Sequence, residues 1–360
     1  MTNFKLSGIV QDDDICTRKS TVKVGTSGDT FFETPIRSGS RSVKRKSAIF
    51  EIYRKIYPAT IHKCLNSTDY NTKYCGGLER QLSFGDFNTL IMEYNGKEIP
   101  TGPMIAQLAD LQYTHTDAIV TPSWYSIVGN TGSSKAERYI ELSDKYCEAA
   151  MFRNSKPILA SIPQSLPPGD IDRVVKFYMD KDITSFIVDS GSRTPNKGTW
   201  LRTLLRAVSA YNVEDESLLY SVNAFQGISQ KSTKHTEAKD FLGFNVGFDI
   251  LGGKYVAKGS ADYYNRIKTS SETVAKQFHR STYKYESVSC SADLKVEITN
   301  QSTLDQIEEM SAVRMAISEK TGMKNLLESK GVSEKTIKSF TDLKKEVNNK
   351  SESSTLDDFI

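Results

Sequence analysis

The stretch that decides the fold is residues 157–222, which read PILASIPQSLPPGDIDRVVKFYMDKDITSFIVDSGSRTPNKGTWLRTLLRAVSAYNVEDESLLYSV. It contains three short apolar runs, at 157–162, 183–188 and 218–222. Helical segments lie between these runs, at 169–180 and 199–211. Short apolar strands that alternate with helices are typical of a parallel sheet covered on both faces. The stretch therefore predicts an α/β fold with parallel strands.

The same alternation extends outward in both directions. Upstream it begins near Phe87, with strands at 89–92 and 117–120 and helices at 102–113 and 134–151. Downstream we expect a helix near 236–244 and a strand at 247–250. Six or more such units favour a closed (β/α)8 TIM barrel over an open doubly wound sheet. We predict this barrel over residues 1–255, with an N-terminal β-hairpin at 21–37.

A barrel of this kind forms its active site at the carboxyl ends of its strands. The residues that the rule selects are Glu93, Ser123, Gln164, Asp189, Asn223 and Asp249. No G-x-G-x-x-G or G-x-x-x-x-G-K motif occurs, so the commonest nucleotide-binding loops are excluded. A metabolic barrel for a small phosphorylated substrate remains an alternative, with the weak loop at 250–254 in support.

Charge is distributed unevenly although the formal net charge is only +3. Residues 37–46 contain five basic side chains and no acid: Arg37, Arg41, Lys44, Arg45 and Lys46. Residues 254–284, which begin with Lys254, contain seven basic side chains against Asp262 and Glu272. Local patches of this kind neutralise phosphates, so we predict nucleic-acid backbone contacts there. Ordinary solvated faces are the alternative interpretation.

Cysteine usage argues against a metal site. The five cysteines show no C-x-x-C spacing, which favours reduced thiols in a cytoplasmic protein and predicts neither metal nor cofactor. The first residues lack an apolar signal core, and no apolar stretch is long enough to span a membrane. We expect no membrane partner.

The last hundred residues divide into three predicted segments. A basic segment at 256–300 is followed by a helical extension at 301–349. Its apolar positions are spaced for one helix face: Leu304, Ile307, Met310, Val313 and Ile317. Residues 350–360 are typical of a disordered tail. Their ending, TLDDFI, resembles the sliding-clamp-binding peptide Q-x-x-L-x-x-F-F through Leu356 and Phe359, although Ser353 stands where the glutamine belongs.

Two strand-end carboxylates suggest a reaction. Cleavage of a glycosidic bond builds positive charge on the sugar at C1′. A carboxylate beside C1′ stabilises this charge or forms a covalent bond to C1′, and a second acid or base exchanges a proton with the leaving base. Glu93 and Asp249, which are predicted at the ends of separate strands, are suitable for these two roles. The structural alternatives are that Glu93 caps a loop or pairs with a lysine and that Asp249 caps a turn.

Several motifs in order give the chain a resemblance to a known family. The hairpin ending Thr34-Pro35, the E-R helix at 137–149, the strand ASIPQS at 160–165 and the segment AKDFLGFNVGFDIL at 238–251 are similar to motifs of the tRNA-guanine transglycosylase superfamily. The resemblance covers roughly residues 20–255 and depends on the order of degenerate motifs. It implies a TIM barrel of the transglycosylase type.

The resemblance also implies roles for individual residues. Asp249 takes the place of the covalent nucleophile, and Glu93 takes the place of the general acid/base aspartate. The base-reading positions correspond to Ser123, Gln164 and Asp189, with Asn223 beside them. Trp124 and Tyr125 offer a stacking surface there, and a buried core position is the alternative for Trp124. Gln164 alone keeps the family's residue type among the base readers.

The departures from the family modify the expected substrate. Ser123 replaces the carboxylate that reads the guanine edge, so we expect a different, modified base. The family's zinc motif is absent, which favours DNA over tRNA. We predict a zinc-less DNA N-glycosylase that flips out a non-guanine base and attacks C1′, with a phage-related or antiphage-defence role. The alternatives are a transglycosylase that inserts a 7-deazaguanine into DNA or tRNA, and a non-catalytic nucleic-acid-binding barrel.

Overall fold

The computed structural model describes most of the chain. The described residues are 3–24, 30–39, 43, 46–82, 85–124, 127, 135–153, 156–194, 199–213, 216–227, 234–255, 273–319 and 322–351. Several predicted positions lie outside these ranges: Arg41, Lys44, Arg45, Tyr125, Leu356 and Phe359. The clamp-peptide prediction therefore lies outside the described residues, as does the part of the basic segment at 256–272.

The element order alternates strands and helices through the middle of the chain. The strands are β1 (Lys5–Gln11), β2 (Arg18–Val24), β3 (Thr30–Thr34), β4 (Ile36–Arg37), β5 (Ile49–Ile56), β6 (Phe87–Tyr94), β7 (Ile119–Val120), β8 (Ile158–Pro163), β9 (Ser185–Asp189), β10 (Leu219–Val222), β11 (His235–Glu237), β12 (Ile250–Leu251), β13 (Thr273–His279) and β14 (Lys284–Cys290). The helices are α1 (Pro58–Asn66), α2 (Thr68–Leu82), α3 (Gly102–His115), α4 (Lys135–Met151), α5 (Pro168–Met179), α6 (Thr199–Ser209), α7 (Ala292–Ser318), α8 (Gly322–Ser329) and α9 (Glu334–Ser351), with a 3-10 helix at Phe241–Val246.

Eight parallel strands follow one another in a ring. Six of them form a sheet in the order β4-β12-β10-β9-β8-β7, and β5 pairs with β6. Two parallel bridges, Gly39–Phe50 and Glu93–Ser123, connect this pair to β4 on one side and to β7 on the other. Backbone hydrogen bonds of 2.8 Å support both bridges, from Gly39 N to Ile49 O and from Ser123 N to Met92 O. From this ring of pairings we infer a (β/α)8 barrel.

The strand residues divide between two hydrophobic cores. In β6, Phe87 and Ile91 belong to the cluster inside the ring, while Leu90 and Met92 belong to the cluster between the strands and the helices. This alternation follows from the two-residue period of a strand. Helix α5 illustrates the outer layer: Pro168 lies in its first turn, and Ile171, Val174, Val175 and Tyr178 are buried at helical spacing. Burial of each large apolar side chain contributes about 1.5–3 kcal/mol.

A small antiparallel sheet closes the amino-terminal end of the ring. Strands β1, β2 and β3 pair in that order, and β2 pairs with β3 over the stretch where we predict the hairpin. Phe4 and Phe32 join the inner core, with the Phe32 ring centroid 5.5 Å from that of Phe87, the first residue of β6. This end of the barrel is therefore filled by apolar side chains.

The C-terminal elements pack back onto the barrel. Strands β11, β14 and β13 form an antiparallel sheet, on which α7 packs while it also contacts β4. Helix α7 begins at Ala292, so the predicted boundary between 300 and 301 falls inside this helix and is wrong. Helix α9 packs on α6, which attaches the end of the described chain to the barrel wall. None of the described helices is long and apolar enough to cross a membrane.

Three elements are missed, and two local predictions are wrong. Strand β5 and helices α1 and α2 are not among the predicted elements, because the alternation is recognised only from Phe87 onward. The helix expected at 236–244 is instead β11 followed by the 3-10 helix at Phe241–Val246. The strand expected at 247–250 is β12, which begins only at Ile250. This last displacement changes the position of Asp249.

Candidate active site

A cavity of about 260 Å³ opens at the carboxyl ends of β5 to β9. We call it the mouth cavity, and its lining residues are Tyr53, Lys55, Glu93, Ser123, Pro163, Gln164, Ser165, Asp189, Ser190, Gly191 and Arg193. Four predicted strand-end residues line it together: Glu93, Ser123, Gln164 and Asp189. Asn223 contacts the site through a 3.0 Å hydrogen bond from Nδ2 to Asp189 Oδ1. The parallel strands bring these residues together because their carboxyl ends meet at one end of the ring.

Glu93 has two partners on β5. The Tyr53 hydroxyl donates a hydrogen bond to Glu93 Oε2, and Lys55 Nζ lies 3.5 Å from the same oxygen. Register places the two partners next to Glu93, because Tyr53 pairs with Ile91 and Lys55 with Glu93 itself. A phenolic proton donor and an ammonium group are suitable partners for a carboxylate anion. Glu93 is therefore held at the rim by one hydrogen bond and one ion pair.

Asp189 occupies a different environment in the same cavity. Its Oδ1 accepts hydrogen bonds of 3.0 Å from Gly191 N and from Asn223 Nδ2. Burial raises the pKa of Asp189, and the negative charge of Glu93 raises it further, while the two hydrogen bonds and Lys55 act in the opposite direction. The net effect of these surroundings is a raised pKa of Asp189. The mouth cavity thus contains two carboxyl groups with unlike surroundings.

The backbone around Asp189 adopts left-handed conformations at three residues. The φ angles are +50° at Gly191, +63° at Ser192 and +54° at Asn223. Such angles are unfavourable for residues with a Cβ and concentrate at functional sites. Here they turn Gly191 N toward the Asp189 carboxyl group and let Ser192 N donate to Asn223 O at 2.8 Å. The strained turn is what positions Asp189.

Two buried polar atoms in the lining lack partners in the described part of the chain. They are Gln164 Oε1 and Ser190 Oγ, in residues that are 8% and 1% exposed. Buried polar atoms are rarely unpaired in a folded protein unless a ligand or water completes them. Arg193 Nη1 donates to the Gln164 carbonyl at 3.0 Å, which fixes the backbone beside these atoms. The unpaired acceptor and hydroxyl are therefore available to a polar ligand.

Sequence reasoning misses the contribution of β5. Its alternation places Glu51, Tyr53 and Lys55 on one face and Phe50, Ile52 and Ile56 in the outer core, and this period of two is the signal that identifies the strand. Tyr53 and Lys55 hold Glu93, as described above.

Glu51 lies deeper and organises the floor of the cavity. It is 1% exposed and accepts hydrogen bonds from the Tyr220 hydroxyl, from the Tyr255 hydroxyl at 2.7 Å and from Gly253 N. Tyr255 in turn stacks on Tyr53, with centroids 5.4 Å apart and rings 7° from parallel. A Cβ at Gly253 would lie 2.9 Å from Glu51 Oε1, so a larger residue there would displace the Glu51 or Tyr255 side chain. Glu51 therefore supports Tyr53 through Tyr255.

Asp249 does not reach the mouth cavity, and its predicted role as nucleophile is wrong. It precedes β12, and its Oδ2 accepts a 2.8 Å hydrogen bond from the backbone nitrogen of Leu219, the first residue of β10. Arg18 of the N-terminal sheet binds both oxygens, through Nε at 2.8 Å and Nη2 at 2.7 Å. Asp249 is 1% exposed. It lies at the amino-terminal end of the ring and attaches the small sheet there.

Two other predicted roles are also wrong. Trp124 is fully buried, with ring centroids 5.8 Å from Tyr94 and 6.3 Å from Tyr146, so it is a core residue and not a stacking surface. Arg37 is 6% exposed and donates to Gln306 Oε1 at 2.8 Å and to Leu251 O at 2.7 Å. It is therefore not available on the outer surface. Lys46 is exposed, and Lys254 Nζ lies 5.8 Å from the Phe225 ring centroid.

The described residues contain no group of three His, Cys, Asp or Glu side chains placed to hold a metal ion. No family model matches the chain, and no curated protein matches it. A partly similar solved structure is N-isopropylammelide isopropylaminohydrolase from Burkholderia multivorans, at 11% identity and a TM-score of 0.34. The match covers 59% of this chain and 49% of that one, so it spans about half of that protein. At this similarity it assigns neither family nor function.

Proposed function

We propose that this chain is an enzyme that breaks the N-glycosidic bond of a base in nucleic acid, with DNA as the favoured substrate. One observation carries the proposal: the mouth cavity contains Glu93, held by a phenol and an ammonium group, and Asp189, whose pKa burial raises. Cleavage at C1′ requires two carboxyl groups in different environments, one that stabilises the charge at C1′ and one that donates a proton to the leaving base.

The two carboxyl groups divide the reaction. Glu93 stabilises the positive charge that develops at C1′, or bonds to that carbon, while the bond to the base nitrogen breaks. The electron pair leaves with the base, and protonated Asp189 donates its proton to the leaving nitrogen. Asp189, now a carboxylate, accepts a proton from the water that attacks C1′. Glu93 thus takes the role that the sequence suggests for Asp249.

Base recognition uses the polar side chains that line the mouth cavity together with the carboxyl groups. Gln164 Oε1 and Ser190 Oγ are unpaired among the described residues, and Ser123 lies in the same lining. A base that is flipped into the cavity gains these hydrogen bonds, which offset part of the few kcal/mol of stacking and pairing lost on flipping. Since Ser123 is uncharged, the cavity has no carboxylate at the position that reads guanine in the resembling family. A non-guanine, modified base is the substrate that this lining favours.

The test is direct detection of the released base. The purified chain is incubated with genomic DNAs that carry normal and hypermodified bases, with and without added 7-deazaguanine. Mass spectrometry identifies the released base, and an aldehyde-reactive probe counts abasic sites. Glu93→Gln is the inactive variant, and Asp249→Asn is the matched control because it alters a carboxylate far from the cavity.

The outcomes separate the candidate activities. Release that yields abasic sites and disappears in Glu93→Gln supports hydrolysis. Release only in the presence of 7-deazaguanine indicates base exchange instead. Absence of base release from every DNA, both with and without 7-deazaguanine, contradicts an enzyme that acts on glycosidic bonds of DNA. It favours the RNA-directed or purely binding alternatives.

A further inference from the structure

A second cavity, of about 200 Å³, lies between the barrel and the C-terminal elements. We call it the basic cavity, because Arg37, Lys276 and Lys295 line it together with the polar side chains of Gln226, Thr303 and Gln306. No Asp or Glu is among the described residues of its lining. β4, β13, α7 and the segment after β10 all contribute to it. The cavity thus contains three cationic side chains and no acid among the described residues of its lining.

The cationic side chains of this cavity form no close ion pair within the described part of the chain. No described carboxylate oxygen lies within 4.0 Å of a side-chain nitrogen of Arg37, Lys276 or Lys295. Elsewhere the same region pairs its cations closely: Arg280 contacts Glu309 at 2.9 Å. Uncompensated charge in a partly buried site is costly unless an anion completes it.

Lys276 is affected most by this environment. The pKa of Lys276 is lowered to about 8, mainly by burial, while the charge of Asp240 opposes this shift and the charge of Lys254 adds to it. Lys254 and Lys276 both lie over the Phe225 ring, at 5.8 Å and 5.9 Å from its centroid. An anion in the cavity would interact favourably with both ammonium groups.

The walls of the basic cavity are fixed by hydrogen bonds. Gln306 accepts from Arg37 Nε at 2.8 Å and donates to the Tyr285 hydroxyl at 2.6 Å. Ser302 Oγ accepts from Phe278 N at 2.9 Å, which attaches α7 to β13. Lys276 Nζ donates to Gly227 O, which leaves further ammonium protons for a ligand. The donors are therefore held in place before any ligand binds.

One short segment connects the two cavities. Gly252 O accepts from Arg37 in the basic cavity, and Tyr255 stacks on Tyr53 of the mouth cavity. Lys254 lies between these residues and shares the Phe225 ring with Lys276. Residues 252–255 thus contact the linings of both cavities. A polyanionic ligand that enters the mouth cavity has the basic cavity as its neighbouring anion site.

We propose that the basic cavity binds a phosphate of the nucleic-acid backbone close to the base held in the mouth cavity. Lys276 and Lys295 supply the charge, and Arg37 and Gln306 hold the wall. The proposal rests on the proposed function, because the mouth cavity must receive a nucleotide. It assigns a defined anion site to residues on β4, β13 and α7, in addition to the backbone contacts expected from exposed basic side chains.

The experiment measures binding to unmodified duplex DNA as a function of salt, independently of base release. The variants are Lys276→Gln and Lys295→Gln, with Lys276→Arg as the charge-preserving variant and Lys5→Gln, on β1 at the closed end of the barrel, as the matched control. Loss of one phosphate contact reduces the slope of log affinity against log salt by about 1 and weakens binding about three- to tenfold. We expect this loss for both Gln variants but not for Lys276→Arg or Lys5→Gln.

A second measurement titrates the full chain with inorganic phosphate by calorimetry at pH 8 in two buffers of different ionisation enthalpy. Binding of the anion raises the pKa of Lys276, so we expect proton uptake that disappears in Lys276→Gln. Unchanged salt slopes in both Gln variants overturn the proposal, whether or not inorganic phosphate binds. Reduced slopes without base release from any DNA support the anion site while they contradict the proposed glycosidic activity, so the two failures are distinguishable.

Discussion

The two ends of the barrel use the same residue types in opposite ways. At the amino-terminal end, Asp249 accepts three hydrogen bonds, two from Arg18 and one from Leu219 N. At the carboxyl end, the Asp189 side chain accepts hydrogen bonds from Gly191 N and Asn223 Nδ2 among the described residues, and burial raises its pKa. The first carboxylate is fully paired and inaccessible, whereas the second lines a cavity.

This difference separates a structural acid from a chemical one. A carboxylate with a bidentate arginine and a backbone donor is stabilised as an anion and has little capacity left for substrate. Asp189 lies beside the Glu93 carboxylate and within a strained turn. Its ionised form is less stable there than it would be with a full set of hydrogen-bond donors. Such incomplete satisfaction is typical of sites that act on ligands.

Glu93→Gln should decrease base release about 10³-fold, because a neutral amide cannot stabilise the charge at C1′. Stability should change little, since the amide oxygen still accepts from Tyr53. Base release under single-turnover conditions measures the first effect, and thermal unfolding measures the second. Activity within about threefold of wild type would remove Glu93 from the chemistry.

Asp249→Ala should decrease the free energy of unfolding by about 3 kcal/mol, because it leaves the Arg18 guanidinium without its anion in a partly buried site. Base release per folded molecule should be retained. Urea unfolding of this variant, of Arg18→Ala and of the double variant provides a double-mutant cycle. A coupling energy near zero would contradict the role of this pair in attaching the N-terminal sheet.

Asp189→Asn should decrease base release about 10²-fold through loss of the proton donor. Because the folded-state pKa of Asp189 is raised, wild-type activity that needs the protonated acid falls as pH rises through that pKa, and the variant should lose this alkaline limb. A pH–rate profile of both proteins is the measurement. An alkaline limb that survives unchanged in the variant would assign the titration to another group.

Asp189→Asn should also increase the free energy of unfolding at neutral pH, by about 1 kcal/mol. A raised folded-state pKa means that the folded protein binds this proton more tightly than the unfolded chain does. Its stabilising effect is present at low pH and is lost as pH rises through the folded-state pKa. The amide side chain of the variant keeps an acceptor oxygen for Gly191 N but never ionises. Urea unfolding at pH 5 and pH 8 should therefore show a smaller pH dependence for the variant than for wild type.

Tyr53→Phe should have the smallest effect on base release, a decrease of about tenfold, because it removes one hydrogen bond to a charged group. The Phe ring keeps the stacking contact with Tyr255, so the floor of the cavity is preserved. Lys55→Gln is the companion variant for the ion pair with Glu93. Wild-type rates in both variants would show that Glu93 needs neither partner.

Much of the barrel wall could be predicted from the sequence because its strands and helices are strongly periodic. The run at 183–188 corresponds to β9, Ser185–Asp189, and the predicted helix at 199–211 corresponds to α6, Thr199–Ser209. Four of the six selected strand-end residues line the mouth cavity for the same reason. Periodicity determines which residues face inward and which strand end carries them.

The errors arise where the local pattern is short. The Gly-Phe-Asp-Ile stretch at 247–250 contains no signal that shows where the strand begins. Because the strand starts at Ile250 and not at Gly247, Asp249 lies at the amino-terminal end of the barrel and not at the carboxyl end. Trp124 follows a two-residue strand, where sequence does not distinguish a core ring from a cavity wall. The partners of Glu93 depend on the register between β5 and β6, which is a tertiary property.

The most direct test of the account compares base release per folded molecule by Glu93→Gln and Asp249→Asn on the same modified DNA. Folded fractions come from unfolding curves recorded under the assay conditions. We predict that Asp249→Asn releases base within about threefold of wild type, whereas Glu93→Gln is reduced about 10³-fold. The reverse result, with Asp249→Asn inactive although folded and Glu93→Gln active, would contradict a reaction centre at the carboxyl end of the barrel.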